Sequence, residues 1–177
     1  MVADETIYRT EILNDIHNRS AFDSGIESLD KYLRLQASQD AKRKVSVTFV
    51  LVLKTQPESI VGYYTLSSTA IDPGSLPVEA RKKLPPYPWI PATLIGRLAR
   101  DIQHKGSGIG NILLIDALRR SLLHSKEIAS YAVVVDALNS RAYSWYTEQW
   151  GFIPVQGIAD KLYLPMKTIE KLLQNKL

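Results

Sequence analysis

The chain has 177 residues, 45% hydrophobic and 23% charged, a balance that suits one globular domain able to bury a full core. It contains no cysteine, which excludes a disulfide framework, a thiolate nucleophile and a Cys-ligated zinc site. The net charge of +4 is mild, but the cations cluster, at Lys42-Arg43-Lys44, Arg81-Lys82-Lys83, Arg97 with Arg100, and Arg119-Arg120. Such clusters attract phosphates, although solvated helix faces carry them too.

Residues 1–12 hold Asp4, Glu5 and Arg9 without an apolar core, so they do not read as a signal peptide. No apolar run approaches the roughly 18 residues of a membrane span, and a cytoplasmic protein is the expectation. A first strand is predicted over 6–13. A helix follows over 27–42, with Leu29, Tyr32, Leu33, Gln36 and Ala37 on one face and Asp23 and Ser24 offered as caps.

The β-branched and aromatic runs 45–54 and 60–68 predict an antiparallel hairpin, turned by Gln56-Pro57-Glu58. Asp72-Pro73-Gly74 breaks the sheet, a short helix is expected over 76–84, and the prolines of 85–91 hold the chain extended. Strands are expected over 93–102 and 131–138, with an amphipathic helix over 109–123 between them. The chain closes with an aromatic-rich helix over 140–149, a strand over 161–166 and a helix over 167–177. The order is mixed α and β around one sheet, in a single domain over 1–177.

Between the 93–102 strand and the 109–123 helix stands Gln103-His104-Lys105-Gly106-Ser107-Gly108-Ile109-Gly110. The first turn of a helix leaves amide donors unpaired, and the helix dipole adds partial positive charge there. Glycines let that backbone wrap a phosphate closely, with Lys105 and His104 at the rim. A dinucleotide-binding turn needs a different glycine spacing, and a Walker loop needs Lys-Ser/Thr after its last glycine, where Asn111 and Ile112 stand. A plain glycine-rich turn is the bland alternative.

The turn resembles the [QR]-x-x-G-x-[GA] motif of GCN5-related N-acetyltransferases, through Gln103, Gly106 and Gly108. Asn139, Ala142, Trp145-Tyr146 and Gly151-Phe152 are similar to a second motif of that family. The resemblance implies the family's mixed α/β sheet, with two splayed parallel strands (here 93–102 and 131–138) and flanking helices. It also implies acetyl-CoA as the donor cofactor, held by Leu98, Ala99, Arg100, residues 103–110, Asn139 and Tyr143. Arg100 departs from the small apolar residue common in relatives, so its side chain must leave the cofactor cleft. Tyr146 matches the tyrosine whose hydroxyl meets the cofactor sulfur; it also reads as an aromatic core residue. Asn139 reads as a helix cap or as a cofactor contact.

A narrower resemblance joins Phe22-Asp23-Ser24-Gly25, Leu29-Asp30-Lys31-Tyr32-Leu33, Gly62-Tyr63-Tyr64-Thr65-Leu66 and Ile95-Gly96-Arg97-Leu98-Ala99 to the acetyltransferase toxins of bacterial toxin–antitoxin pairs. That implies acetylation of the α-amine of aminoacyl-tRNA and arrest of translation. It also implies an antitoxin partner of ribbon-helix-helix type and a homodimer. Lys42, Arg43, Lys44, Arg81, Lys82, Lys83 and Arg97 are the candidate tRNA contacts. Acetylation of a protein N-terminus, a polyamine or an antibiotic is the alternative within the family, and a non-catalytic acetyl-CoA or partner-binding module the alternative outside it.

No residue stands out as a general base: Asp101, Asp136 and Glu148 read as a strand-end charge, a structural contact and a solvated residue. An α-amine has a pKa near 8, and esterification of its carboxyl lowers it further, so little base is needed. His17, His104 and His124 show no metal-ligand spacing, and no metal is expected.

Overall fold

A computed structural model of the protein describes residues 7–175. Its strands are β1 (Tyr8–Ile12), β2 (Val47–Leu53), β3 (Gln56–Ile71), β4 (Ile90–Arg100), β5 (Ala132–Asp136), β6 (Ile153–Pro154) and β7 (Lys161–Pro165). Its helices are α1 (Glu27–Leu35), α2 (Ala37–Lys42), α3 (Val78–Arg81), α4 (Ile109–His124), α5 (Ser140–Ser144) and α6 (Met166–Gln174). The strands form one mixed sheet in the order β1-β2-β3-β4-β5-β7-β6. β4 pairs in parallel with β5 from Ala92↔Ala132 to Ile95↔Val135, and β4 then runs on to Arg100. The expected mixed α/β class with a parallel central pair is therefore present. Among the described residues no helix is long and apolar enough to cross a membrane.

The chain forms two compact units, one of residues 7–67 with Gly96–Ala117, the other of Ser68–Ile95 with residues 118–175. In the first, β1 and β2 pair antiparallel, as do β2 and β3. The apolar stripe of α1 places Tyr32 and Leu33 in a core with Phe22, Ala37, Val50, Val52, Ile60, Tyr63 and Ala99. Each of the buried Leu, Val, Ile and Phe side chains contributes about 1.5–3 kcal/mol by leaving water. In the second, β5 and β7 pair antiparallel, and Ala132, Val134 and Tyr163 pack with Ile71, Leu76, Ala92 and Val155.

Three expectations are corrected. The helix over 27–42 is two helices, broken at Gln36 (φ −112°, ψ −36°). The apolar period runs through the break, so period alone cannot reveal it. Ser24 and Asp23 do not cap α1: its N-cap is Ile26, without a side-chain cap bond. Instead Asp30 reaches back, accepting from the backbone N–H of Ser24 (2.9 Å) and from its hydroxyl (2.6 Å). Finally, the hairpin turns at Lys54-Thr55, while Gln56-Pro57-Glu58 belongs to β3. The register jumps from Leu53↔Gln56 to Val52↔Ile60, so Pro57 falls where the ladder asks for no N–H. The first expected strand begins two residues late at Tyr8, and its Thr6 lies outside the described residues, as do the last residues of the closing helix.

Candidate active site

In the first unit β4 ends in Leu98, Ala99 and Arg100, and a short 3-10 turn (Ile102–His104) leads to the start of α4 at Ile109. Asp101, only 5% exposed, holds this junction together. Its two carboxylate oxygens accept from the backbone N–H of Gln103 (2.9 Å) and of Asp23 (3.1 Å), while the Ile102 N–H donates to the Asp23 carbonyl (2.8 Å). The 22–25 segment is thus tied to the loop. Nothing in the sequence signalled this, because Asp23 and Asp101 are 78 residues apart.

Gly106 and Gly108 take φ of +80° and +78°, the left-handed region that costs other residues about 1–2 kcal/mol. A side chain on Gly106 would meet nothing within 4 Å, so glycine is needed there for its backbone angle. Those two angles fold the loop over the N-terminus of α4. Asn111 and Ile112 N–H both donate to the Gly108 carbonyl (3.0 and 3.2 Å). Among the described residues, the backbone N–H groups of Gly106, Gly108, Ile109 and Gly110 have no protein acceptor. Four free donors at a positive helix end suit a pyrophosphate, and the residues present fit the diphosphate of a CoA-type cofactor.

The rim follows the same logic. Gln103 and Lys105 are exposed, Ser107 donates its hydroxyl to the His104 carbonyl, and His104 is half-buried, with Nδ1 buried and unpaired among the described residues. Ile109 is fully buried and anchors the helix. Close approach is secured at Gly62 on β3, where a Cβ would stand 2.7 Å from Leu113 and 3.3 Å from Ile109. Arg100 is half-buried, and its guanidinium donates to the Asp101 carbonyl at 3.4 Å.

In the second unit Asn139 caps α5, its side-chain oxygen accepting from the Ala142 N–H at 2.9 Å. α5 then widens into a π-helical turn, Trp145–Gln149. The Thr147 hydroxyl donates to the Tyr143 carbonyl (2.9 Å), which competes with the ordinary helical ladder. The expected helix over 140–149 is therefore two kinds of helix, and π turns recur at functional sites. Gly151 (φ +72°) ends it, and the Phe152 N–H donates to the Tyr146 carbonyl at 3.1 Å.

That turn delivers Tyr146, 7% exposed, into a cage of rings, 4.9 Å from Trp145 and 5.2 Å from Phe152. Burial pushes the Tyr146 hydroxyl well above the ordinary phenol range, because loss of water disfavours the charged phenolate. Its hydroxyl has no hydrogen-bond partner among the described residues, and it is protonated at neutral pH. Tyr143 is half-buried one turn earlier. Asp136 pairs with Lys161 at 2.7 Å and Glu148 is exposed, in keeping with their structural and solvated readings.

The tRNA candidates divide. Lys42, Arg43 and Lys44 are exposed at the end of α2. Arg97, half-buried on β4, stacks over the Tyr32 ring at 3.5 Å. Tyr32 donates to Asp40 (3.0 Å), and so does the Gln36 side-chain amide (2.9 Å). The Gln36 bond above all, then the Tyr32 hydroxyl and the charges of Arg97 and Arg43, hold the Asp40 carboxyl below its usual range. The structure thus joins Arg97, Tyr32, Gln36 and Asp40 in one network, which the sequence did not announce. Arg81, Lys82 and Lys83 belong to the second unit, exposed at and after the end of α3.

A mixed sheet with a parallel central pair and a glycine turn of unpaired amides suit an acetyl-CoA-dependent N-acetyltransferase, and known proteins similar to this chain are of that class. No protein-family model matches the chain. A tRNA-acetylating toxin of Mycobacterium tuberculosis is 32% identical over 134 residues, covering 76% of this chain and 78% of that protein. A probable toxin TacT of Sinorhizobium fredii is 29% identical over 164 residues, 89% of this chain and 90% of the relative. Among solved structures, AtaT complexed with acetyl-methionyl-tRNAfMet matches with TM-score 0.86 and 31% identity, over 94% of this chain and 99% of that one. AtaTR bound with AcCoA matches with TM-score 0.82 and 30% identity, over 95% and 99%. The chain belongs to the GCN5-related N-acetyltransferase family, in its branch of acetyltransferase toxins.

Proposed function

We propose that this protein is a toxin that uses acetyl-CoA to acetylate the α-amine of aminoacyl-tRNA and so blocks translation. The observation that carries the acceptor is the likeness to AtaT, whose solved complex holds acetyl-methionyl-tRNAfMet. The donor rests on the AcCoA complex of AtaTR and on the four free amides of the 103–110 loop.

Acetyl-CoA supplies an acetyl group on a thioester whose departing thiol needs a proton. In this reading the amides of Gly106, Gly108, Ile109 and Gly110 hold the pyrophosphate, with Gln103, His104, Lys105 and Ser107 around them. The β4 end, Leu98 to Arg100, and Asn139 and Tyr143 complete the cofactor contacts. Tyr146 keeps a proton at its hydroxyl for the leaving thiol. A charged tRNA offers an amine that is substantially neutral at cellular pH, which matches the lack of an assignable general base. Lys42, Arg43, Lys44, Arg81, Lys82, Lys83 and Arg97 are proposed to engage phosphates.

Residues 1–177 act as one domain in this proposal, supported by β3, β4 and α4, each of which runs through both units. In this proposal the protein acts in the cytoplasm, where charged tRNA is found, as a homodimer neutralised by an antitoxin of ribbon-helix-helix type. Support for the antitoxin comes from AtaT, solved with the C-terminus of its antitoxin AtaR. The test is acetyl transfer from labelled acetyl-CoA to charged and uncharged tRNA. Acetate on the α-amine of charged tRNA alone is the expected result; acetylation only of proteins, polyamines or antibiotics would overturn the acceptor.

A further inference from the structure

Within the second unit, residues 81–89 form a surface that the reaction chemistry does not use. Ala80 and Leu84 pack on the core built around Leu76 and Tyr163, which fixes this stretch from below. Arg81, Lys82 and Lys83 stay exposed, opposed by one carboxylate, Glu79, 3.5 Å from Lys82. That pair is itself largely exposed and neutralises little. Directly after the cations stand Tyr87 and Trp89, 61% and 62% exposed. Pro85, Pro86, Pro88 and Pro91 restrict the backbone on both sides of these rings, the Tyr87 N–H donates to the Pro85 carbonyl at 2.8 Å, and Ile90, 3% exposed, anchors the end. Two large rings are thus held out in water on a stiff segment, beside three cations.

We propose that this surface binds the unpaired 3′ end of the tRNA acceptor, with Trp89 and Tyr87 as stacking faces and Arg81, Lys82 and Lys83 on its phosphates. The inference rests on the proposed acceptor and adds to it which part of the RNA is read, and by which rings. Unpaired bases expose their faces and stack on aromatic rings regardless of sequence, whereas a duplex hides them. A second copy of this chain suits the surface less well, since a symmetric contact would set the cation cluster against its own image. The proline-held backbone has little freedom left to lose on binding, which favours affinity.

The test compares the full-length protein on two RNA hairpins of identical stem, one blunt and one with a short single-stranded 3′ extension. Trp89→Ala should weaken the extended hairpin about ten-fold and leave the blunt one within about two-fold, while Trp89→Phe, which keeps a ring, should bind both nearly as well as wild type. Arg81→Gln with Lys83→Gln should weaken the extended hairpin more than the blunt one and flatten the salt dependence of the extended hairpin by about 0.7 in log–log slope for each single-strand phosphate that is no longer neutralised. On charged tRNA, Trp89→Ala should raise KM and leave acetyl-CoA affinity unchanged. Equal loss on both hairpins, or no loss on either, would overturn the proposal. So would a change of oligomeric state in Trp89→Ala, which would mark a contact between copies. If charged tRNA is not acetylated at all, the acceptor reading fails, while the hairpin comparison still decides the surface.

Discussion

The 101–110 segment and the 139–152 segment hold their functional groups in opposite ways. The first works with backbone: a buried aspartate and two left-handed glycines shape a loop in which four N–H groups have no acceptor among the described residues. The second works with a side chain: a π turn and aromatic neighbours hold one phenol, its hydroxyl still free to react. A backbone site is robust to changes in what surrounds it but not to its own angles. A side-chain site tolerates backbone adjustment but depends on its cage, and its chemistry lies in one atom.

Tyr146→Phe should separate the two most sharply. It keeps the ring and removes the proton donor, so kcat should fall about a hundred- to ten-thousand-fold while acetyl-CoA affinity by calorimetry stays within about two-fold. Wild-type turnover in that variant would remove Tyr146 from the chemistry. Because burial raises this hydroxyl above the ordinary phenol value, the wild-type rate should show no decline assignable to its deprotonation up to about pH 10. Its contribution to stability has the same sign: present below about pH 10 and lost only as the pH rises through the higher folded value.

Asp101→Ala should be the next largest effect, about 1–3 kcal/mol of stability in urea, because two part-buried N–H groups lose their charged acceptor. Gly106→Ala should follow. Its Cβ meets open space, so only the backbone angle is penalised, by about 1–2 kcal/mol, and the loss should appear as about ten-fold weaker acetyl-CoA binding with kcat at saturation little changed. Unchanged affinity would show that the loop does not grip through these amides.

Asp136→Ala belongs at the small end, about 0–1 kcal/mol, since its pair with Lys161 is half-exposed. Asp40→Asn sharpens the same contrast through pH. The Asp40 carboxyl is held below its usual range, so its contribution is present above pH about 4 and disappears as the pH falls through the lower folded value. The difference in urea midpoint between wild type and Asp40→Asn should therefore be largest near neutrality and vanish in acid.

Legibility followed the same divide. Gln103, Gly106 and Gly108 were readable because a loop that needs left-handed backbone and free amides can scarcely be built from other residues. Most strands and helices were readable from apolar period and proline. The break at Gln36 was not, since both helices share one apolar face, and Pro57 misled because the bulge that accommodates it depends on pairing with β2. The bond from Asp23 to Asp101 and the stacking of Arg97 on Tyr32 join residues far apart in the chain, which no local pattern encodes.

By itself, then, the sequence determined the mixed α/β class and a glycine turn suited to a phosphate, which rest on interactions among near neighbours in the chain, and its likeness to the family gave the tyrosine to suspect. Tertiary structure alone decided that Asp101 clamps the turn, that Asp40 gathers Tyr32 and Gln36 beside Arg97, and that burial holds the Tyr146 hydroxyl above the ordinary phenol range. Burial and charge proximity are sums over everything packed around a group, and they exist only once the chain has folded.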